Sequence, residues 1–210
     1  MSNSGPLLLI ISSPSGAGKT TLTRRLRSAV SGLEFSVSHT TRPPRQGEKS
    51  GREYHFLGRT AFEQLIAEGH LLEWAEVHGN LYGTSREEVA KNAHARGIIF
   101  DVDHQGARQI RSVRPDAVSV FLLPPDMETL LQRLRGRASD DEETVQRRFR
   151  AAIGEIAHYG MFDYVLVNDQ LEEAVGQLVA IFRAEECRRR RSALFAERLL
   201  GASRSLSPTS

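Results

Sequence analysis

The stretch Ser12–Leu26, SSPSGAGKTTLTRRL, decides the fold. It follows the apolar run LLLII (Leu7–Ile11) and leads into a segment of helical character, so the chain passes from strand through glycine-rich turn to helix. Backbone N–H groups in such a turn converge on phosphate oxygens, and the helix that follows presents its positive end. Gly16 and Gly18 let the backbone come close, Lys19 is placed to reach β- and γ-phosphates, and the Thr20 hydroxyl suits Mg²⁺. The pattern G-x-x-x-x-G-K-[ST] asks for glycine where this chain has Ser13. If that position requires φ > 0, serine costs about 1–2 kcal/mol, which a well-packed loop can absorb. A second element comes from IIFDVD (Ile98–Asp103), where Asp101 ends an apolar strand and stands as an indirect, Walker-B-type carboxylate near the metal.

Outward from this loop, Ile98–Val102, Val118–Leu122 and Tyr164–Val167 join Leu7–Ile11 as apolar runs with the length and composition of buried parallel strands. Helices fall between them. One covers Thr20–Val30; the capping box Ser85-x-x-Glu88 opens another that ends before Gly97; Asp126 starts a third after Pro124-Pro125. The region Glu172–Leu200 closes the chain as a long amphipathic helix. This alternation predicts an α/β fold: a P-loop NTPase core, its parallel sheet flanked by helices.

Residues 35–85 break that rhythm. FSVSHT (Phe35–Thr40), YHF (Tyr54–Phe56) and LLEWAEVH (Leu71–His78) read as short strands, Gly79-Asn80 as a hairpin, and Thr60-x-x-Glu63 as the start of one helix. They predict a small mixed α+β insertion. A second insertion, residues 128–155, is charged and arginine-rich and has the character of a mobile lid. The expected organisation is a core over 1–34, 86–127 and 156–201, carrying insertions 35–85 and 128–155, with a disordered tail over 202–210.

Composition narrows the function classes. The 210 residues suffice for one good-sized core, and at 40% hydrophobic and 26% charged they are those of an ordinary globular protein. The single cysteine, Cys187, permits no intrachain disulfide and fits a reducing compartment. No stretch has the length of a membrane span, and the first residues lack a signal peptide's basic region, so a cytoplasmic location is expected, with neither membrane nor nucleic acid as partner. Net charge is only +2, and the seven histidines show no ligand-like spacing. Lysine occurs only at 19, 49 and 91; the other basic residues are arginines, gathered in Arg42–Arg52, Arg133–Arg150 and Arg183–Arg191. Such clusters serve either as solvated surface or as anion receptors.

What accepts a phosphoryl group is the next question. No Ser–His–Asp arrangement is evident, and none is needed if the acceptor is itself a phosphate. A monophosphate ester has a second pKa near ~6 and is largely anionic at pH 7, so the task becomes offsetting repulsion between polyanions.

At this point the sequence resembles the guanylate kinase family. SHTTRPPRQGEKSGREYHF (Ser38–Phe56), LLEWAEVHGNLYGT (Leu71–Thr84) and FDVDHQG (Phe100–Gly106), together with the phosphate loop, carry the resemblance in unbroken order over about Leu7–Arg183. It implies transfer of the γ-phosphoryl group of ATP to GMP with Mg²⁺, on a parallel-sheet core bearing a GMP-binding domain and a lid. By the same resemblance, Ser38, Arg42, Arg45, Tyr54 and Tyr82 surround the GMP phosphate, while Glu73, Thr84 and Asp103 read guanine. ATP falls to Ser13, Pro14, Ser15, Gly16, Ala17, Gly18, Lys19, Thr20 and Thr21, with Arg133, Arg137 and Asn168. Lys19, Arg42, Arg137 and Arg148 take the catalytic roles. A guanylate-kinase-like binding module without catalysis is a rival reading, but such modules usually have damaged phosphate loops, and this one keeps Lys19, Thr20 and its arginines. A P-loop kinase for a phosphorylated sugar should lack the set Glu73, Tyr82 and Thr84. Leu194, Phe195 and Leu199 near the C-terminus suggest self-association as a homo-oligomer.

Overall fold

The computed structural model describes residues 5–77, 79–136 and 141–206, with backbone alone for 202–206. Strand β1 (Leu7–Ser12) is central and wholly buried, as a continuous apolar run must be when helices cover both faces of a parallel sheet. Its side chains alternate between two cores. Leu7, Leu9 and Ile11 pack with Leu22 and Leu26 of α1 (Lys19–Ala29) and with Leu178 and Phe182 of α7 (Leu171–Glu186). Leu8 and Ile10 pack against Ala107 and Ile110 of α4 (His104–Val113). Each fully buried aliphatic side chain contributes ~1.5–3 kcal/mol, so this strand fixes the layers on both sides.

The main sheet has five strands in the order β2-β7-β1-β8-β9, all parallel: β2 (Leu33–Phe35), β7 (Gly97–Asp101), β8 (Val118–Leu123) and β9 (Tyr164–Val167) flank β1. The apolar runs at 98–102, 118–122 and 164–167 are therefore strands as expected. Phe35 is a correction: it ends an edge strand of the main sheet rather than opening the insertion, because Leu33 is buried and Phe35 packs on the core beside β7.

A second sheet of four strands has the order β4-β3-β6-β5, from β3 (His39–Thr40), β4 (His55–Phe56), β5 (Leu71–Val77) and β6 (Asn80–Ser85). β5 and β6 form the antiparallel hairpin, with Val77 opposite Asn80 and Gly79 at φ 78°; His78 lies outside the described residues. Helix α2 (Arg59–Ala67) starts after Gly58, so Thr60 is inside the first turn and caps nothing. Its expected partner Glu63 turns back to Arg59 instead (2.9 Å), and the earlier start brings Phe62 fully into a small core with Leu71 and Leu81. Ser85 does cap α3 (Arg86–Lys91), accepting from Glu88 N–H, but this helix is short.

Helices α5 (Met127–Arg135) and α6 (Glu142–Ile156) pair through Leu130, Leu134, Val145 and Ala152. Asp126 caps the first as predicted. The long C-terminal helix is broken at Cys187–Arg188 into α7 and α8 (Arg189–Leu206). At the break, arginines bond to nearby elements of the core domain. Arg188 donates to the buried Glu185 carboxylate (2.8 Å), Arg190 to Asp116 O (3.1 Å) and Arg191 to Gly5 O (2.6 Å). Residues 202–206, expected as disordered tail, continue helix α8; 207–210 lie outside the described residues. Leu194, Phe195 and Leu199 on α8 are more than half exposed. No helix among the described residues is long and apolar enough to cross a membrane.

Candidate active site

The C-terminal ends of the parallel strands meet one another here, which is where open α/β sheets bind ligands. β1 runs into the loop Ser13–Gly18, and Gly16 (φ 94°) and Gly18 (φ 91°) take left-handed conformations. Gly18 is required twice over. Its backbone enters the left-handed region, and a Cβ there would lie 2.5 Å from Asn168 Nδ2. Asn168 follows β9, is buried, and donates from its side-chain amide to Ala17 O (2.7 Å). Its own N–H donates to Leu123 O at the end of β8 (2.8 Å). Asn168 therefore braces the loop from the sheet side. Arg133 donates to the Asn168 carbonyl (3.3 and 3.4 Å), so in this structure it belongs to the same brace.

Lys19 begins α1 and forms an ion pair with Asp101 at the end of β7, which brings the glycine loop and the second acidic element together. A cavity of about 800 Å³ is lined by Thr20, Asp101, Ser38, Arg42, Arg45, Tyr54 and Tyr82 among others. The described residues contain no cluster of three or more His, Cys, Asp or Glu side chains able to hold a metal on their own. Among the oxygen donors on its wall are the Thr20 hydroxyl and, at the end of β7, the Asp101 carboxylate, hard donors of the kind that share Mg²⁺ with nucleotide phosphates.

A smaller cavity of about 170 Å³ continues from it, lined by Lys19, Asp101, Ser38, Tyr54, Tyr82, Glu73 and Asp103. Glu73 on β5 is only 4% exposed. Burial pushes its carboxyl up to about 7, reinforced by the Asp103 charge and opposed by hydrogen bonds from Thr84. Thr84 itself is completely buried, with its hydroxyl 3.3 Å from Ser38 Oγ. It stands behind Glu73 and not on the cavity wall. Asp103 caps α4, its carboxylate accepting from Gln105 N–H and Gly106 N–H at 2.9 Å each.

The depth of Glu73 depends on two residues not singled out from sequence. A Cβ on Gly106 would come 2.7 Å from Glu73 Oε2, so the carboxylate rests against a helix surface that only glycine leaves open. Gln109, one turn on, clamps β5 to α4: it accepts from Trp74 N–H (3.0 Å) and donates to Trp74 O (2.6 Å).

Tyr54 lines both cavities, and Arg42 lines the larger one beside it. The Arg42 guanidinium lies 5.4 Å from the Tyr54 ring centroid and 5.7 Å from that of Phe56. It pairs with both Glu48 oxygens at 3.0 Å, which holds the guanidinium above its ordinary range and the Glu48 carboxyl below its own. Glu48 also accepts from Arg45 N–H (2.7 Å), which orders the turn carrying both arginines. Burial pushes the Tyr54 phenol up to about 12, keeping it a neutral donor. Glu48 went unread in the sequence; its signal was a carboxylate three residues beyond Arg45 in a glycine turn.

The lid residues gather less closely. Arg148 is half-buried on α6 and lines neither cavity, and Arg137 lies outside the described residues. Ser13 donates from its hydroxyl to Pro14 O (3.1 Å); Pro14 is buried, and Thr21 faces solvent on α1.

Three comparisons bear on this geometry. A family model described as guanylate kinase matches residues 6–185. The guanylate kinase of Dechloromonas aromatica is 48% identical over 92% of this chain and 98% of its own; that of Aromatoleum aromaticum is 50% identical over 86% and 89%. Among solved structures, a guanylate kinase from Anaplasma phagocytophilum superposes with a TM-score of 0.73 at 33% identity, covering 90% of this chain and 91% of that one.

Proposed function

The chain belongs to the guanylate kinase family, and on that premise we propose that it transfers the γ-phosphoryl group of ATP to GMP, giving ADP and GDP. One observation carries the reading: Lys19 of the phosphate loop and the buried Glu73 line a single cavity. A donor phosphate at one end and a guanine edge at the other are thereby held in line.

The Glu73 carboxylate accepts the adjacent N1–H and N2–H of guanine. Thr84 fixes that carboxylate from behind, and Asp103, holding α4, sets the far wall. Ser38, Tyr54 and Tyr82 donate to the acceptor phosphate without adding charge. Arg42 and Arg45 supply the charge, Arg42 exchanging Glu48 for phosphate in a like-for-like fork. The acceptor oxygen is already anionic at neutral pH and needs no general base. Ser15–Thr21 cradle the donor phosphates, with Ser13 and Pro14 forming the entry to the loop. Lys19 leaves Asp101 for the β- and γ-phosphate oxygens and follows the charge as it moves to the leaving group. Thr20, with Asp101 nearby, would hold Mg²⁺ entering with ATP, which would supply charge neutralisation for the transferred phosphoryl group. Arg137 and Arg148 complete the charge from the lid, while Arg133 and Asn168 act through the loop they brace. The reaction consumes soluble nucleotides, consistent with a cytoplasmic enzyme.

A coupled assay for ADP with ATP and each of GMP, AMP, CMP and UMP tests this. GMP is expected to exceed the others by at least ~10³ in kcat/KM. Turnover of AMP or a pyrimidine nucleotide at a rate comparable with GMP overturns the assignment.

A further inference from the structure

Both lid helices rest on the phosphate loop itself. A Cβ on Gly16 would lie 3.0 Å from Leu130 Cδ1 and 3.2 Å from Leu134 Cδ2, so α5 lies flush against the loop backbone. From α6, Glu155 Oε2 accepts the N–H of Ser15 at 3.0 Å, a contact between residues 140 positions apart. Across the loop, Asn168 takes the opposite polarity and donates to Ala17 O. Ala17 N–H closes the turn onto Pro14 O (3.1 Å). The loop is thus gripped at two peptides: at Pro14–Ser15 a carboxylate on the lid side accepts, and at Ala17–Gly18 an amide on the sheet side donates.

We propose that Glu155 is a positioning residue for the donor site: it fixes the phosphate loop in its phosphate-receiving shape and ties that shape to the placement of helix α6. The proposal rests on the phosphoryl-transfer reading above and adds a residue to it. A hydrogen bond to a charged acceptor is among the stronger ones, and this one constrains a backbone whose glycines otherwise have wide freedom. Helices α5 and α6 share one apolar core, so a displacement of either is transmitted to the other through it. Any swing of the lid that shifts this core must therefore move Glu155, and with it the Ser15 peptide. Glu155 meets the donor loop at the Ser15 peptide. It lines neither cavity, so it has no direct means of affecting the acceptor.

Glu155→Ala and Glu155→Gln separate positioning from general stability, since alanine and glutamine both favour helix and the Gln amide oxygen still accepts. In Glu155→Ala, KM for ATP should rise about tenfold with KM for GMP unchanged within twofold; Glu155→Gln should return to within threefold of the parent. Hydrogen exchange of the peptide covering residues 12–18, measured without nucleotide, should quicken in the alanine variant and not in the glutamine one. Parent-like ATP KM and exchange in Glu155→Ala overturn the proposal. So does a loss shared equally by ATP and GMP, with a lowered Tm, that glutamine fails to rescue. If the parent transfers nothing to GMP, the functional reading fails by itself, and the exchange experiment with titration of a fluorescent ATP analogue still tests the grip.

Discussion

The phosphate loop draws its chemistry from consecutive backbone groups between Ser13 and Thr20, whereas the pocket around Glu73 takes single side chains from β5, β6, β7 and the segment before β3. The loop faces its ligand with N–H groups, one lysine and a helix start. The pocket faces its ligand with a carboxylate that burial holds near neutrality. On the function proposed, the loop recognises only phosphate, which all nucleoside triphosphates share. The pocket is selective, because a buried acceptor left opposite another acceptor is expensive. The difference teaches where catalytic force and specificity lie: the first is charge delivered by backbone geometry, the second is desolvation of one side chain.

The largest effect should come from the loop. Lys19→Ala removes the cation and leaves Asp101 without its partner beside the donor phosphates. The expected fall in kcat is ~10³-fold or more, about 4 kcal/mol of barrier, with circular dichroism unchanged. A folded variant that keeps more than a tenth of parental kcat would break the division drawn here.

Glu73→Gln should come next and act on the other side of the comparison. It replaces one acceptor with a donor, so kcat/KM for GMP should fall ~10²-fold, the GMP/AMP gap should narrow, and KM for ATP should stay put. The raised carboxyl adds two pH signatures. First, guanine binding needs the ionised form, so KM for GMP should decrease as pH rises through about 7, and the same profile minus that of Glu73→Gln removes the titration of GMP's own phosphate. Second, a carboxyl whose pKa is higher folded than unfolded binds more protons in the folded state between about 4.5 and 7. Stability is then lost as pH rises through that window, on the order of 3 kcal/mol, the reverse of a salt-bridged carboxylate. Chemical denaturation at pH 5 and pH 8 should show a smaller difference in the glutamine variant. Equal pH slopes in the two proteins would mean that Glu73 is not held protonated by burial.

The comparison also explains what the sequence made legible. A contiguous motif between an apolar run and a helix is readable from a single chain, and β1, the loop and α1 stand where it put them. The scattered pocket was legible only through resemblance, since no spacing rule links Glu73 to Asp103. Residues that act by leaving room or by reaching across the fold gave no local signal. Gly106 matters for the space it leaves, and Gln109, Glu155 and Asn168 for bonds to backbone far away in sequence. Capping patterns failed where tertiary packing outweighed them, as at Thr60, where burial of Phe62 and the Arg59–Glu63 pair set the helix start. The continuous amphipathic pattern of 172–200 concealed a break at Cys187–Arg188, where Arg190 and Arg191 bond to backbone of distant segments.

A third experiment sharpens the pocket side alone. Gly106→Ala places a methyl where Glu73 Oε2 lies 2.7 Å away and Val102 Cβ 3.0 Å away, so the carboxylate must shift. KM for GMP should rise about tenfold with ATP unaffected, since a displaced reader loses part of each bond to the base. Helix propensity pulls the other way, favouring alanine by up to ~1 kcal/mol. A raised Tm with unaltered GMP kinetics would show that the helix surface merely has spare room there.

The smallest effect belongs to the residue that departs from the loop pattern. Ser13 precedes the glycines, half-buried, with its hydroxyl turned onto the neighbouring Pro14 carbonyl rather than toward the cavities. The conformations that shape the cradle belong to Gly16 and Gly18, while Glu155 holds the Pro14–Ser15 peptide and Asn168 the Ala17–Gly18 peptide. Restoring glycine at position 13 therefore adds no donor to the phosphate site. It does add backbone freedom to the unbound loop, a cost on the order of 0.5–1 kcal/mol that opposes any relief of strain. The two terms nearly cancel, so Ser13→Gly should change ATP affinity less than tenfold in either direction, as read by titration of a fluorescent ATP analogue. A much larger gain would mean that serine strains the native loop and that the grip of Asn168 and Glu155 holds a compromised shape. The backbone side of the comparison would then depend on one side chain after all.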